Sequence, residues 1–281
     1  MFEDASATDT TTVGERRRDI RREQRVKKGR TLSIRLLIIA GLVMLLAVAG
    51  VIAYNSEFLA ISEVRVNGAE HLSADHLKEV AAVPVGSTLL RVDTEGIKAR
   101  LEADPWIKQA SVERELPATL ILNISERRVF AQAEIIPDVT NATITHWLIS
   151  EDGVWLGTLD GPEETQVLGN LDLKGLVMIK DVSRAVRPQL GAEVKDEGVA
   201  NALAILAGFS DEMRGLVATI SAPDRTRTTL GLLNNVGVAF GAAEDIPAKE
   251  SAIITLLNAH PDTLTYINVR VPDRATYRAV E

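Results

Sequence analysis

"DPWIKQASVERELPATLILNISERRVFA", residues 104–131, is the stretch on which the fold turns. Read in steps of two, Ala110, Val112 and Leu116 share one face of a strand, and Leu120, Leu122 and Ile124 share one face of the next. Pro117 falls in the connection, where its missing N–H removes no ladder bond. The result is a hairpin with one apolar face, and that face needs a cover.

The cover is legible upstream. "ISEVRVN", Ile61–Asn67, places Val64 and Val66 on one face of a strand that Gly68 ends. Ser73 suits a helix N-cap, with Leu72 and Leu77 at the two positions of a hydrophobic staple and Val80 and Ala81 continuing the stripe. Pro84 and Gly86 break the pattern. Asp93 caps a second helix, with Val92 and Ile97 at the positions of another staple and Leu101 one turn beyond Ile97, and that helix ends before Pro105. Residues 58–127 therefore predict strand, helix, helix, strand, strand, with both helices on one face of a three-stranded sheet.

Beyond Arg128 the pattern is mainly β. "HWLISEDGVWLG" sets Asp152-Gly153 between two apolar runs, the strongest short hairpin signal, and "TTLGLLNNVGVAFG" repeats the device with Asn234-Asn235. Two helices interrupt: residues 196–208, with Val199, Leu203 and Leu206 at helical spacing, and Pro247–Ala259, with Ile253, Ile254 and Leu257. A final strand runs through "LTYINVRVP", residues 264–272. This order predicts a curved antiparallel sheet with helices packed on it.

Charge divides the chain further. Residues 1–35 hold 10 Lys/Arg against 6 Asp/Glu, residues 36–54 hold no charge, and residues 55–281 hold 21 against 33. The uncharged 19 residues from Leu36 to Tyr54 span about 28 Å as a helix, close to the ~30 Å hydrocarbon core of a bilayer. They show no polar face, as a buried globular helix usually does. The reading is a membrane helix with a cytoplasmic basic arm before it and the rest of the chain outside. Ala47-Val48-Ala49 has the form of a signal-peptidase site, but the long arm and the apolar run through Tyr54 favour an uncleaved anchor. The basic run "RRRDIRREQRVKKGR" next to such a helix reads as attraction to anionic lipid, not as a nucleic-acid site. The acidic body would repel phosphate backbones.

The sequence carries none of the common catalytic patterns. No cysteine is present, and His71, His76, His146 and His260 make no metal motif. No G-x-S-x-G and no phosphate-binding glycine loop occurs. Glu151-Asp152 and Glu163-Glu164 read as loop solvation, and His71 and His76 as exposed residues at a helix start. Trp106, Trp147 and Trp155 read as core or domain-contact aromatics. The sequons at Asn123 and Asn141 carry little weight, the first lying inside a strand. No enzyme, cofactor or small-molecule substrate is expected.

Four segments, "VRVNG" at Val64–Gly68, "VGSTLLRVD" at Val85–Asp93, "DPWIKQASVERELP" at Asp104–Pro117 and "TLILNISER" at Thr119–Arg127, resemble in order and spacing the POTRA domain of the FtsQ/DivIB family. The resemblance continues through "WLISEDGVWL", the helix with Lys249 near its start and "INVRVPDRATYR", and is more like actinobacterial members. Leu116 departs from the family where an aromatic often precedes the proline, and no proline follows Glu126-Arg127.

The resemblance implies an α+β protein with a basic arm (1–35), one transmembrane helix (36–54), a POTRA domain (58–127), a mainly antiparallel β domain with packed helices (128–271) and a polar tail (272–281). It implies a cell-division scaffold of the bacterial plasma membrane, acting at the septum. FtsB-like and FtsL-like bitopic proteins, and through them the septal peptidoglycan synthase, would be its partners. Other readings are an anchored cell-wall enzyme using the POTRA-like domain as a spacer, or a translocation factor. The first lacks a nucleophile or metal cluster in residues 128–281, and the second lacks its barrel.

The expected docking strand is Thr265–Val271. A last strand commonly lies at a sheet edge, where an extended partner segment can add. Tyr266, Asn268 and Arg270 would face the partner, while Ile267, Val269 and Val271 face the core. The resemblance adds that the matching strand of the family receives FtsB.

Overall fold

The computed structural model describes residues 35–48, 50–51, 59–136, 144–159 and 175–280. The first two ranges are helical and exposed throughout. Among the described residues no helix is long and apolar enough to cross a membrane. The basic arm to residue 34, Ala49, residues 52–54, Glu163-Glu164 and the Asn141 sequon lie outside the described residues.

The first domain is built as its sequence predicts. Strand β1 (Glu63–Asn67) is followed by helices α1 (Ala74–Ala81) and α2 (Thr94–Glu102), then by strands β2 (Ile107–Glu115) and β3 (Thr119–Glu126). Ser73 caps α1 by accepting the His76 N–H, and Asp93 caps α2 by accepting that of Gly96. The sheet order is β1-β3-β2, with β1 parallel to the central β3 and β2 antiparallel to it. Leu77, Ala81, Ile97 and Leu101 from the helices meet Leu120, Leu122 and Ile124 in one buried cluster.

One expectation fails here. Leu116 does not join Ala110 and Val112 on the covered face but is 71% exposed in the β2–β3 connection, because β2 ends at Glu115 and the alternation stops with it.

The second domain is a single nine-stranded sheet. Its strands are β4 (Val129–Ile135), β5 (Thr145–Ser150), β6 (Trp155–Thr158), β7 (Val177–Lys180), β8 (Val217–Ser221), β9 (Thr229–Leu232), β10 (Gly237–Ala239), β11 (Leu264–Asn268) and β12 (Thr276–Ala279). Their order across the sheet is β12-β11-β10-β9-β8-β7-β4-β5-β6. Both predicted hairpins form, with Gly153 and Asn235 at positive φ in their turns.

The sheet is mixed, not simply antiparallel: β4/β7, β7/β8 and β10/β11 are parallel. Parallel neighbours need long crossovers, and helices supply those of β7/β8 and β10/β11. Helix α3 (Glu197–Gly208) and the short α4 (Asp211–Leu216), which the sequence reading missed, carry the chain from β7 to β8. Helix α5 (Ile246–Ala259) carries it from β10 to β11. Val199, Leu206, Met213 and Ile253 pack with Ile179, Ile220, Val238 and Ile267 to form the core.

The domains meet through shared packing and a polar junction. Leu148 of β5 and Leu156 of β6, both buried, belong to the cluster of the first domain. Glu126 accepts the N–H groups of Glu70, His71 and Leu72, and its Oε2 lies 2.9 Å from His71 Nδ1. His71 is therefore half-buried and partnered, not an exposed residue. Arg127 donates to the carbonyls of Pro105 and Ile107 and, at 3.0 Å, to Asp152. Asp152 is thus tied across the junction instead of merely solvating a loop.

Burial works to raise the Asp152 carboxyl, but hydrogen bonds from Ser150 and Arg127 and the Arg127 charge outweigh it, leaving the group below its ordinary value. A depressed carboxyl contributes stability above the unfolded value of about 4 and loses it as pH falls through the folded one. Asp152→Asn should therefore flatten the fall in denaturation midpoint as pH drops below about 4, where this linkage acts. A variant whose acid dependence matches that of the parent would show that Asp152 gains nothing from Arg127.

Candidate docking edge

The two ends of the nine-stranded sheet differ. At the β6 end, residues 189–194 lie against the strand: Trp155 N–H donates to Ala192 O, Gly191 N–H to Trp155 O and Val194 N–H to Gly153 O. Backbone groups at the start of β6 are thereby partnered. At the other end β12 is exposed along all four residues, and no described strand pairs with its outer side.

The final strand of the sequence reading is therefore not the last. Residues 272–281 are not simply a tail, because after a short 3-10 turn at Pro272–Arg274 the chain returns as β12. It pairs antiparallel with β11, matching Tyr266 with Arg278, Ile267 with Tyr277 and Asn268 with Thr276. The missed signal is the alternation in "ATYRAV", hidden behind a proline and two charges.

The ladder fixes which way β12 points. Val280 N–H donates to Thr263 O, and Arg278 O accepts from the Thr265 hydroxyl, so even-numbered residues turn their main chain toward β11. Successive residues alternate, which leaves the N–H and C=O groups of Tyr277 and Ala279 facing outward.

The six predicted docking residues fall in different places. Ile267 and Val269 are fully buried, as expected, and Val269 N–H donates to Ala239 O at 3.0 Å. Val271 instead is 57% exposed, because β11 ends at Asn268 and the core-facing alternation does not reach it. Tyr266 is half-buried, with the Arg278 guanidinium 5.4 Å from its ring centroid. Asn268 accepts the Arg270 N–H through its side chain, and Arg270 is exposed. The edge strand is further held by the Tyr277 ring, 4.4 Å from that of His260 at the end of α5.

Beneath the edge, Lys249 on α5 is buried and donates to the carbonyls of Phe240 and Ala242 at 3.1 and 2.8 Å. Its ammonium lies 4.7 Å from the Phe240 ring centroid. Desolvation lowers its pKa, while Glu244 and Asp245 act in the opposite sense. This side chain secures the exit of β10 and hence the platform on which β11 and β12 lie. Nothing in the arrangement activates a nucleophile. Its chemistry is hydrogen bonding along a free strand, flanked by the exposed apolar side chains Val271, Tyr277 and Val280.

Residues 59–127 match the family model described as the POTRA domain, FtsQ-type. The cell division protein FtsQ of Streptomyces bingchenggensis is 26% identical over 249 residues, covering 88% of this chain and 85% of that protein. The cell division protein FtsQ of Corynebacterium glutamicum is 23% identical over 242 residues, covering 86% of this chain and 97% of that one. That of Streptomyces coelicolor is 25% identical over 256 residues, covering 90% and 92%. The chain thus carries an FtsQ-type POTRA domain followed by a large sheet and is similar to FtsQ cell-division proteins along nearly its whole length, which supports a role in cell division.

Proposed function

We propose that the chain is a single-pass scaffold of the bacterial plasma membrane at the division septum. Residues 1–35 are cytoplasmic and attracted to anionic lipid, residues 36–54 span the bilayer, and both folded domains lie outside. Its partners are FtsB-like and FtsL-like bitopic division proteins, and through them the septal peptidoglycan synthase is controlled.

The observation that carries the docking reading is the open outer side of β12, in contrast to the covered side of β6. A partner segment adds there as a tenth strand. Bonds to Tyr277 and Ala279 supply affinity, and alternate side chains supply selectivity. The docking strand is thus Thr276–Ala279, while Tyr266 and Arg270 contribute from the strand behind it and its exit.

Ala279→Pro tests this directly. Proline removes an outward N–H and leaves the bonds to β11 in place, which an edge strand tolerates. The FtsB-like protein copurifying with the full chain from membranes should fall at least about tenfold, the equivalent of roughly 1.4 kcal/mol or one strand hydrogen bond. Membrane level and denaturation midpoint should be unchanged. Full retention of the partner would remove β12 as the docking strand.

A further inference from the structure

Among the described residues, three large apolar side chains are exposed at one end of the first domain: Val85, Leu90 and Leu116, at 105%, 47% and 71%. Val85 tips a turn closed by Ser87 N–H on Pro84 O, and Leu90 follows in the same loop. Leu116 tips the β2–β3 connection.

Residues 59–63 draw these loops together. Leu59 O accepts from Leu89 N–H at 2.8 Å, Ile61 N–H donates to Ser87 O at 2.9 Å, and Ser62 N–H donates to Ala118 O at 2.9 Å. Five residues extend no further than about 17 Å, so all three tips gather around the point where the chain joins the domain. That point lies eight residues after Val51, the end of the described part of the apolar helical stretch. Eight peptide units reach at most about 28 Å. Leu190 and Leu233, also exposed, belong to loops of the second domain.

We propose that this end of the first domain rests on the lipid surface, with Val85, Leu90 and Leu116 inserted among the headgroups. The inference rests on the reading of residues 36–54 as a membrane anchor. Given that anchor, the tips are tethered within one short chain length of the bilayer, so even a small apolar area keeps them there through high local concentration. The tips stand on turns and form no groove, which suits a yielding headgroup layer better than a partner helix. Seating this end on the membrane orients the domain relative to the bilayer.

The chain contains no cysteine, so single spin labels can be placed at will. The full chain, carrying Val85→Cys, Leu90→Cys or Leu116→Cys, is reconstituted in phosphatidylcholine–phosphatidylglycerol vesicles, with Leu190→Cys and Leu233→Cys as controls. Collision with oxygen relative to a water-soluble nickel chelate should be several-fold higher at the first three positions than at the controls. Equal ratios in vesicle-bound protein would overturn the proposal and leave the anchor standing. Loss of collisions with both reagents, or spin–spin broadening, would mean cover by a second copy and would also overturn it. Protein that fails to float with the vesicles after an alkaline wash would remove the anchor and this inference together.

Discussion

Leu122→Asp should abolish the fold of the first domain. Leu122 is fully buried on β3, the central strand, opposite Val66 on one side and Val112 on the other. Leu77, Ile97 and Leu101 belong to the same cluster. A carboxylate there is either ionised without a partner or protonated at a cost, and the leucine contacts are lost as well. The expected loss is about 4 kcal/mol or more, comparable with the whole stability of a small domain. Hydrogen exchange on the full-length protein should show residues 59–127 exchanging without protection. Protection equal to that of the parent would mean that β3 does not lie at the centre of this core.

Asn201→Leu should be the most damaging change of shape-conserving kind in the second domain. From α3, the Asn201 amide donates to the carbonyls of Arg225 and Gly241 and to the Thr228 hydroxyl, and its oxygen accepts the Ala243 N–H at 2.8 Å. One buried side chain thereby ties two loop segments, around Arg225–Thr228 and Gly241–Ala243, to α3. Leucine fills similar space but leaves Ala243 N–H and Gly241 O without this partner. At roughly 1–3 kcal/mol for a buried polar group left unsatisfied, the loss should be about 3 kcal/mol. Chemical denaturation followed by tryptophan fluorescence measures it, since Trp147 and Trp155 lie in the same sheet. A change below about 0.5 kcal/mol, the range of an ordinary surface substitution, would show that water replaces the amide.

What the sequence disclosed depended on whether the signal was local. Ser73 and Asp93 could be read as caps because a cap is a short-range bond between a side chain and an N–H three residues on. Asp152-Gly153 could be read as a turn for the same reason. Leu116 misled because parity alone does not reveal that a strand has ended. The three parallel pairings of the nine-stranded sheet were hidden because alternation says which face is buried and nothing of strand direction. Helix α4 has six residues and one fully buried side chain, Met213, too few for a period to show. The outermost strand of the sheet lies one strand beyond the one expected. Which strand is outermost depends on pairings between distant segments, and β12 looked like a tail because Pro272, Asp273 and Arg274 precede it. The adjacent apolar residues were still read in the right alternation: Ile267 and Val269 are buried as expected.

Leu148 and Leu156 lend their side chains to the core of the first domain while their strands belong to the second. Neither unit can lose its structure without stripping apolar cover from the other. Heating should therefore reveal one calorimetric peak for the folded body, with van't Hoff and measured enthalpies in agreement. Mechanically, a tug on β12 would reach the turns that carry Val85 and Leu116 through a stiff body instead of being absorbed at a hinge.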